Sequence, residues 1–214
     1  MCVSAQADLV AGLVVGAVGI DAIAHVRHRR ELMVAALPLL FAAHQLVEVG
    51  VWRGLAAGGP ASDPAITLYL ALAFVLPVYV PLAVMAVEAS PSRRRWMGAL
   101  AVLGTGTAAI LLMGLASGSQ EAVIAPYHIA YAVDVPVGRL TGIAYVSATC
   151  GAAMLSGDRN IRSFGVVNVL AVTAVGGLVV GGFISLWCLW AAVTSVAIAA
   201  YLRRDVVAQP APAA

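Results

Sequence analysis

Two histidines and two carboxylates carry the chemistry in a chain with few titratable groups. His44 and Glu48 are four residues apart within the apolar stretch 31–52, ELMVAALPLLFAAHQLVEVGVW, with Gln45 between them and Trp52 one turn further on. On a helix, His44 and Glu48 share a face. Ionisable groups inside a membrane-spanning helix are costly, and by default they mark a functional site. Further along, His128 and Asp134 belong to the segment HIAYAVDV, which alternates with period two. In an extended strand they point to one side. Two histidines with two carboxylates suit a divalent metal such as zinc, or iron or manganese if coordination is wider. With an open position, such an ion would activate water, and Glu48 or Asp134 would serve as general base. The reaction expected of that set is metal-dependent hydrolysis of an amphipathic or lipid substrate.

The spacing alone leaves other readings open. His-x-x-x-Glu on one helix is far less specific than His-Glu-x-x-His. A structural reading pairs Glu48 with a buried His or Arg and gives His44 a backbone carbonyl across the helix interface. A third reading makes the same groups a metal-free proton or substrate path, as in a binding, sensory or transport protein. A fourth makes the chain an accessory subunit whose polar residues only join helices.

The elements that must position these groups follow from composition. The 214 residues are 62% hydrophobic and only 10% charged, with a mean hydropathy of +0.98. Soluble domains carry about 25% charged residues. Lipid must therefore be most of this chain's solvent, and one membrane domain accounts for its length. A net charge of +2 gives no reason to expect nucleic acid as a partner. All 12 basic residues are Arg, which excludes a lysine Schiff base or lysine nucleophile. The first apolar run has no basic segment before it and is expected to be a first span, not a cleaved signal.

Hydropathy and breakers place seven spans at about 5–26, 31–53, 65–87, 96–116, 140–156, 164–181 and 185–202. The last two are separated by a turn expected near Gly181 and Gly182. Residues 117–138 form a long loop in which 121–125 can pair with 128–135 and fold over the mouth of the bundle. The tail 206–214, with Pro210 and Pro212, is expected to be disordered. Basic clusters follow spans one, three, five and seven, so seven spans place all four on one side. The positive-inside rule makes that side cytoplasmic, with the N-terminus outside. Six spans are the alternative.

This topology gathers His44, Glu48, His128 and Asp134 in the outer half, with Cys2, Asp8, Tyr127 and Cys188 nearby. Cys2 and Cys188 share a side on which a disulfide can persist. Cys150 reads as a packing residue in a span. At the inner end of the first span, Asp21 and His25 are also four apart and read as an ion pair, with a proton exit as the functional alternative. Asn168, Thr173, Ser185 and Ser195 are expected to join helices by hydrogen bonds. Tyr69, Tyr79, Tyr145 and Tyr201 are expected to pack or to sit at interfaces.

Several stretches resemble a family of small bacterial multi-pass membrane proteins of unknown function. Met1-Cys2-Val3-Ser4-Ala5 is similar to the Met-Cys-Phe-Ser-Ala opening of that family, with Val3 in place of Phe. Thr149-Cys150-Gly151, Leu155-Ser156-Gly157, Phe164-Gly165, Asn168 and Ser185-Leu186-Trp187-Cys188-Leu189-Trp190 extend the likeness to the end of the chain. The resemblance implies a bacterial inner-membrane protein and no particular activity. The topology also resembles that of the seven-helix alkaline-ceramidase and adiponectin-receptor hydrolases. Their Ser-x-x-x-His and His-x-x-x-His motifs are missing here, where Leu40 precedes His44 by four, so that likeness is one of topology alone.

Overall fold

The computed structural model describes residues 4–59, 64–117, 120–126, 128–134, 138–178 and 183–203, with the backbone alone at 175–178, 183–189 and 191. Among them are seven α-helices and one β-hairpin, with a short 3-10 turn at Arg29–Glu31. The helices are α1 (Ala5–Ala24), α2 (Leu32–Ala56), α3 (Pro64–Val87), α4 (Pro91–Ala116), α5 (Gly138–Met154), α6 (Arg159–Leu178) and α7 (Phe183–Arg203). Strands β1 (Gln120–Ala125) and β2 (His128–Val133) lie between α4 and α5 and pair antiparallel, with Gln120 opposite Val133 and Ala125 opposite His128. The segments Ala5–Ala24, Arg29–Ala56, Pro64–Val87 and Pro91–Ala116 are long and apolar enough to cross a membrane. Their outward faces are apolar too: Val102 is 74% exposed and Ile20 67%. Water would not favour such a surface, but hydrocarbon does. The chain is a mostly helical membrane protein.

Two helices begin earlier than hydropathy suggests. α4 starts at Pro91, not near 96, because proline is favoured at the first helical position and the arginines 93–95 extend the helix beyond its apolar part. α6 starts at Arg159, not near 164, because the Asp158 carboxylate accepts from the backbone N–H of Asn160 (2.7 Å) and Ile161 (3.1 Å) and caps it. Hydropathy marks the lipid-facing length of a helix, whereas caps mark its end. The expected turn at Gly181 and Gly182 and the tail 206–214 lie outside the described residues.

Packing relies on small residues and on two prolines. A Cβ at Gly12 or Gly19 would come within 2.8 Å or 2.6 Å of the side chains of Leu46 and Leu39, so α1 and α2 approach closely along that glycine face. In α3, Pro77 and Pro81 each lack the N–H that would bond the carbonyl four residues earlier. The structure supplies other contacts to those carbonyls. The Tyr145 hydroxyl of α5 donates to the Ala73 carbonyl at 2.8 Å. Gly104 of α4 lies against the Pro77 carbonyl so closely that a Cβ there would stand 2.5 Å from its carbon. A Cα–H lying against a carbonyl is a weak hydrogen bond that recurs between helices. Tyr145 thus joins helices through its hydroxyl, beyond the packing role expected of it.

The charged ends of the helices tie to one another. Asp21 receives two hydrogen bonds from Arg203, at 2.6 Å and 2.8 Å, so α1 and α7 meet end to end. His25 stands 3.6 Å from the same carboxylate, and its Nδ1 lies 2.8 Å from the Asp21 carbonyl oxygen. The expected Asp21–His25 contact is therefore present, but Arg203 holds the carboxylate more closely. Just past α3, Glu88 is buried and accepts from the Gly157 N–H (2.7 Å), the Ser90 N–H (3.0 Å) and the Ser156 hydroxyl (3.3 Å). Burial raises the Glu88 pKa, yet these three donors and the charge of Arg93 outweigh it and hold the carboxyl below its ordinary value.

Candidate functional site

At the end of the bundle that carries the hairpin, polar side chains meet inside an apolar shell. α2 contributes His44, Gln45, Glu48 and Trp52, all buried. His44 and Glu48 are about 6 Å apart along the helix axis, as a separation of four residues requires. Asp8, in the first turn of α1 and fully buried, accepts the Trp52 indole N–H at 2.8 Å. A carboxylate in the first turn also faces the positive end of the helix dipole. This bond pins the start of α1 to the end of α2.

The hairpin closes the group from above. Ile129, Tyr131 and Val133 pack onto a core cluster that includes Val51, Trp52, Tyr69 and Leu115. The Gln120 amide of β1 donates to the Thr67 hydroxyl of α3 at 3.2 Å. Tyr131 reaches furthest in, and its hydroxyl donates to Glu48 Oε1 at 3.2 Å. The Tyr131 ring stacks on Tyr69 with centroids 4.6 Å apart and planes at 22°. Tyr69 stacks in turn on His44 at 3.9 Å and 25°. A column of imidazole, phenol and phenol therefore leads from His44 to Tyr131 and ends on the carboxylate of Glu48, one helical turn above His44.

The sequence-predicted metal set is divided by this arrangement. His44 and Glu48 are both buried, one turn apart on α2. His128 begins β2 in the alternate phase to Ile129, Tyr131 and Val133, which face the core, and Asp134 lies just past the end of the strand. Asp134 is exposed and His128 half-buried. Six residues of extended chain also separate these two by about 20 Å. Among the described residues, no group of three or more His, Cys, Asp and Glu side chains is placed to hold a metal ion. The alternation in 128–134 was legible, but its bulkier apolar phase turns inward, because a strand over a core must bury that phase. Glu48 is bonded by a tyrosine hydroxyl, and His44 is stacked on an aromatic ring. Cys2 and Tyr127 lie outside the described residues, as does the side chain of Cys188, so the expected bridge falls there too.

Tyr69 and Tyr131 are the site residues that sequence reasoning did not single out. The signal for Tyr131 was its place between Ile129 and Val133, in the inward phase. For Tyr69, no spacing in the sequence points to His44.

Chemically, the cluster is a set of protic groups buried among apolar residues. It can hold protons, donate hydrogen bonds to a polar ligand and stack against a flat or cationic one. No curated protein and no solved structure matches the chain. A family model described as a family of unknown function (DUF6629) matches residues 1–213. Spanning nearly the whole sequence, that match makes the chain a member of this uncharacterised family.

Proposed function

We propose that this is a seven-span membrane protein that works without bond chemistry, as a binding, sensory or transport protein whose pocket is the cluster around Glu48. The species it exchanges is the proton. The observation that carries this reading is the contact between Tyr131 and Glu48: a residue of the covering hairpin bonds a carboxyl group buried within a candidate span. Any change in the protonation of Glu48 then acts directly on the lid. Intramembrane carboxyl, imidazole and phenol groups in contact are the usual parts of such paths. A metal-dependent hydrolase would need His128 and Asp134 beside His44 and Glu48, and the inward phase of β2 favours the other reading.

In this reading the N-terminus and hairpin lie outside, and the C-terminus is in the cytoplasm of a bacterial cell. The support is that the charged ends of α1, α3, α5 and α7 meet in the Asp21–Arg203 and Glu88–Gly157 contacts, at the end remote from the hairpin. At 17 residues, α5 is about 26 Å long, just short of a bilayer core of about 30 Å.

Proteoliposomes holding a pH-sensitive dye, with an imposed membrane potential, test the reading. Proton movement several-fold above that of empty vesicles is expected from the wild type and should be lost in Glu48→Gln. Movement that persists unchanged in Glu48→Gln refutes it. Metal analysis is the second check: stoichiometric metal in the purified protein, lost in His44→Ala, would restore the hydrolase.

A further inference from the structure

A cavity lies at the charged end of the bundle, away from the Glu48 cluster. Its volume is about 400 Å³, within the range of small-molecule sites. α6 and α7 form its sides, and Val34, Leu37, Val80 and Val84 of α2 and α3 form its back. Val167 and Val193, 46% and 56% exposed, flank the opening, so it faces whatever surrounds the bundle. For a membrane protein that is lipid.

The lining changes along its length. At the deep end, the Trp190 indole N–H donates to Asn168 Oδ1 at 2.8 Å, and the Asn168 amide donates to the Phe164 carbonyl at 2.7 Å, which leaves an apolar surface facing the cavity. The middle is aliphatic. At the shallow end stand Asn160, Ser163 and Tyr201. Asp158, Glu31 and, more weakly, Arg30 act on the Tyr201 hydroxyl, and the exposed Arg159 precedes Asn160. From Tyr201 to Trp190 the depth is about 16 Å along α7, close to half of a hydrocarbon core of about 30 Å. An apolar slot one leaflet deep, open sideways, with arginines at its polar end, has the form of an amphiphile with an anionic head.

We infer that this cavity is a binding site for one acyl chain of an anionic bilayer phospholipid, whose head group lies against Arg30 and Arg159. Asp158 and Glu31 are the acidic groups at the same end. Choline head groups, which carry no net charge, gain less from the arginines, so the site prefers phosphatidylglycerol. The inference requires the membrane setting but not the proton role of Glu48.

Trp190 reports on the site. The full-length protein is placed in nanodiscs of phosphatidylcholine containing a small mole fraction of phosphatidylglycerol or phosphatidylcholine brominated on its acyl chains. The quenching due to Trp190 is the difference between wild type and Trp190→Phe. Brominated phosphatidylglycerol should reach half-maximal quenching at a mole fraction several-fold lower than brominated phosphatidylcholine. Ala197→Phe, which fills the slot, should abolish the Trp190 component. The surface pair Arg30→Gln and Arg159→Gln should leave quenching in place but remove the head-group preference, and needs no repacking of the core. Equal quenching by both lipids in the wild type, or a preference untouched by the arginine pair, overturns the inference, since ordinary contact with bulk lipid then explains the signal.

Discussion

Replacing Gly104 by alanine tests the packing that carries α4 to the hairpin. The added Cβ would stand 2.5 Å from the Pro77 carbonyl carbon and 3.2 Å from the Val78 nitrogen. Both are backbone atoms, so no side chain can swing away, and α3 and α4 must separate. Overpacking of this kind costs about 1–3 kcal/mol. Separation also withdraws the Cα–H contact from the carbonyl that Pro81 leaves without its helical donor, which adds about 0.5–1 kcal/mol. Against this, alanine is a better helix former than glycine by about 1 kcal/mol. The net loss is about 2 kcal/mol, which for a chain of this size lowers the melting temperature by about 4–8 °C. Gly106 is the control: a Cβ there meets nothing within 4 Å, so Gly106→Ala should keep the propensity gain and match or exceed wild type. Thermal unfolding of the two variants in the same detergent provides the comparison. If Gly104→Ala melts with Gly106→Ala, the close approach at Pro77 is not what holds α3 and α4 together.

Four further outcomes follow from the same contacts. Tyr145→Phe removes the hydroxyl donated to the Ala73 carbonyl and should destabilise the fold by about 1–3 kcal/mol, read from the unfolding midpoint; an unchanged midpoint would mean the carbonyl freed by Pro77 finds another donor. Tyr131→Phe keeps the ring stack but loses the bond to Glu48, so the amides of 120–133 should exchange hydrogen about tenfold faster, equivalent to about 1.4 kcal/mol, while α3 amides keep their rates. Because the native Glu88 pKa lies below its ordinary value, its contribution is complete above the ordinary carboxyl range of about 4.3 and is lost as pH falls through the lowered native value; acid melting curves of Glu88→Gln should therefore fall less steeply than wild type. In a variant without native cysteines, a cysteine at Ile124 should react with an impermeant maleimide in intact cells and one at Arg94 should not, and the reverse pattern would invert the proposed orientation.

Composition by itself determined that lipid surrounds this chain, because 10% charged residues cannot cover a water-facing surface. Local pattern determined much of the rest along the chain: apolar runs bounded by arginines, the alternation that folds into β1 and β2, and the helical spacing that puts His44 and Glu48 on one side of α2. These are properties of neighbours in sequence, and the physics that fixes them acts over a few residues. Cap chemistry was there too, although hydropathy overrode it at Pro91 and Asp158.

The partners of those residues were decided elsewhere. His44 meets Tyr69 and Glu48 meets Tyr131 only because α2, α3 and the hairpin converge, and the Glu48–Tyr131 contact spans 83 positions. Arg203 reaches Asp21 across 182 positions, past a histidine that looked sufficient. The inward phase of β2 depended on what lies beneath it: a core lined by Trp52 and Tyr69 receives Ile129, Tyr131 and Val133 and leaves His128 in the alternate phase. A strand's two faces are equivalent until a third element covers one of them, so only the packed structure could decide which residues of β2 meet the Glu48 cluster.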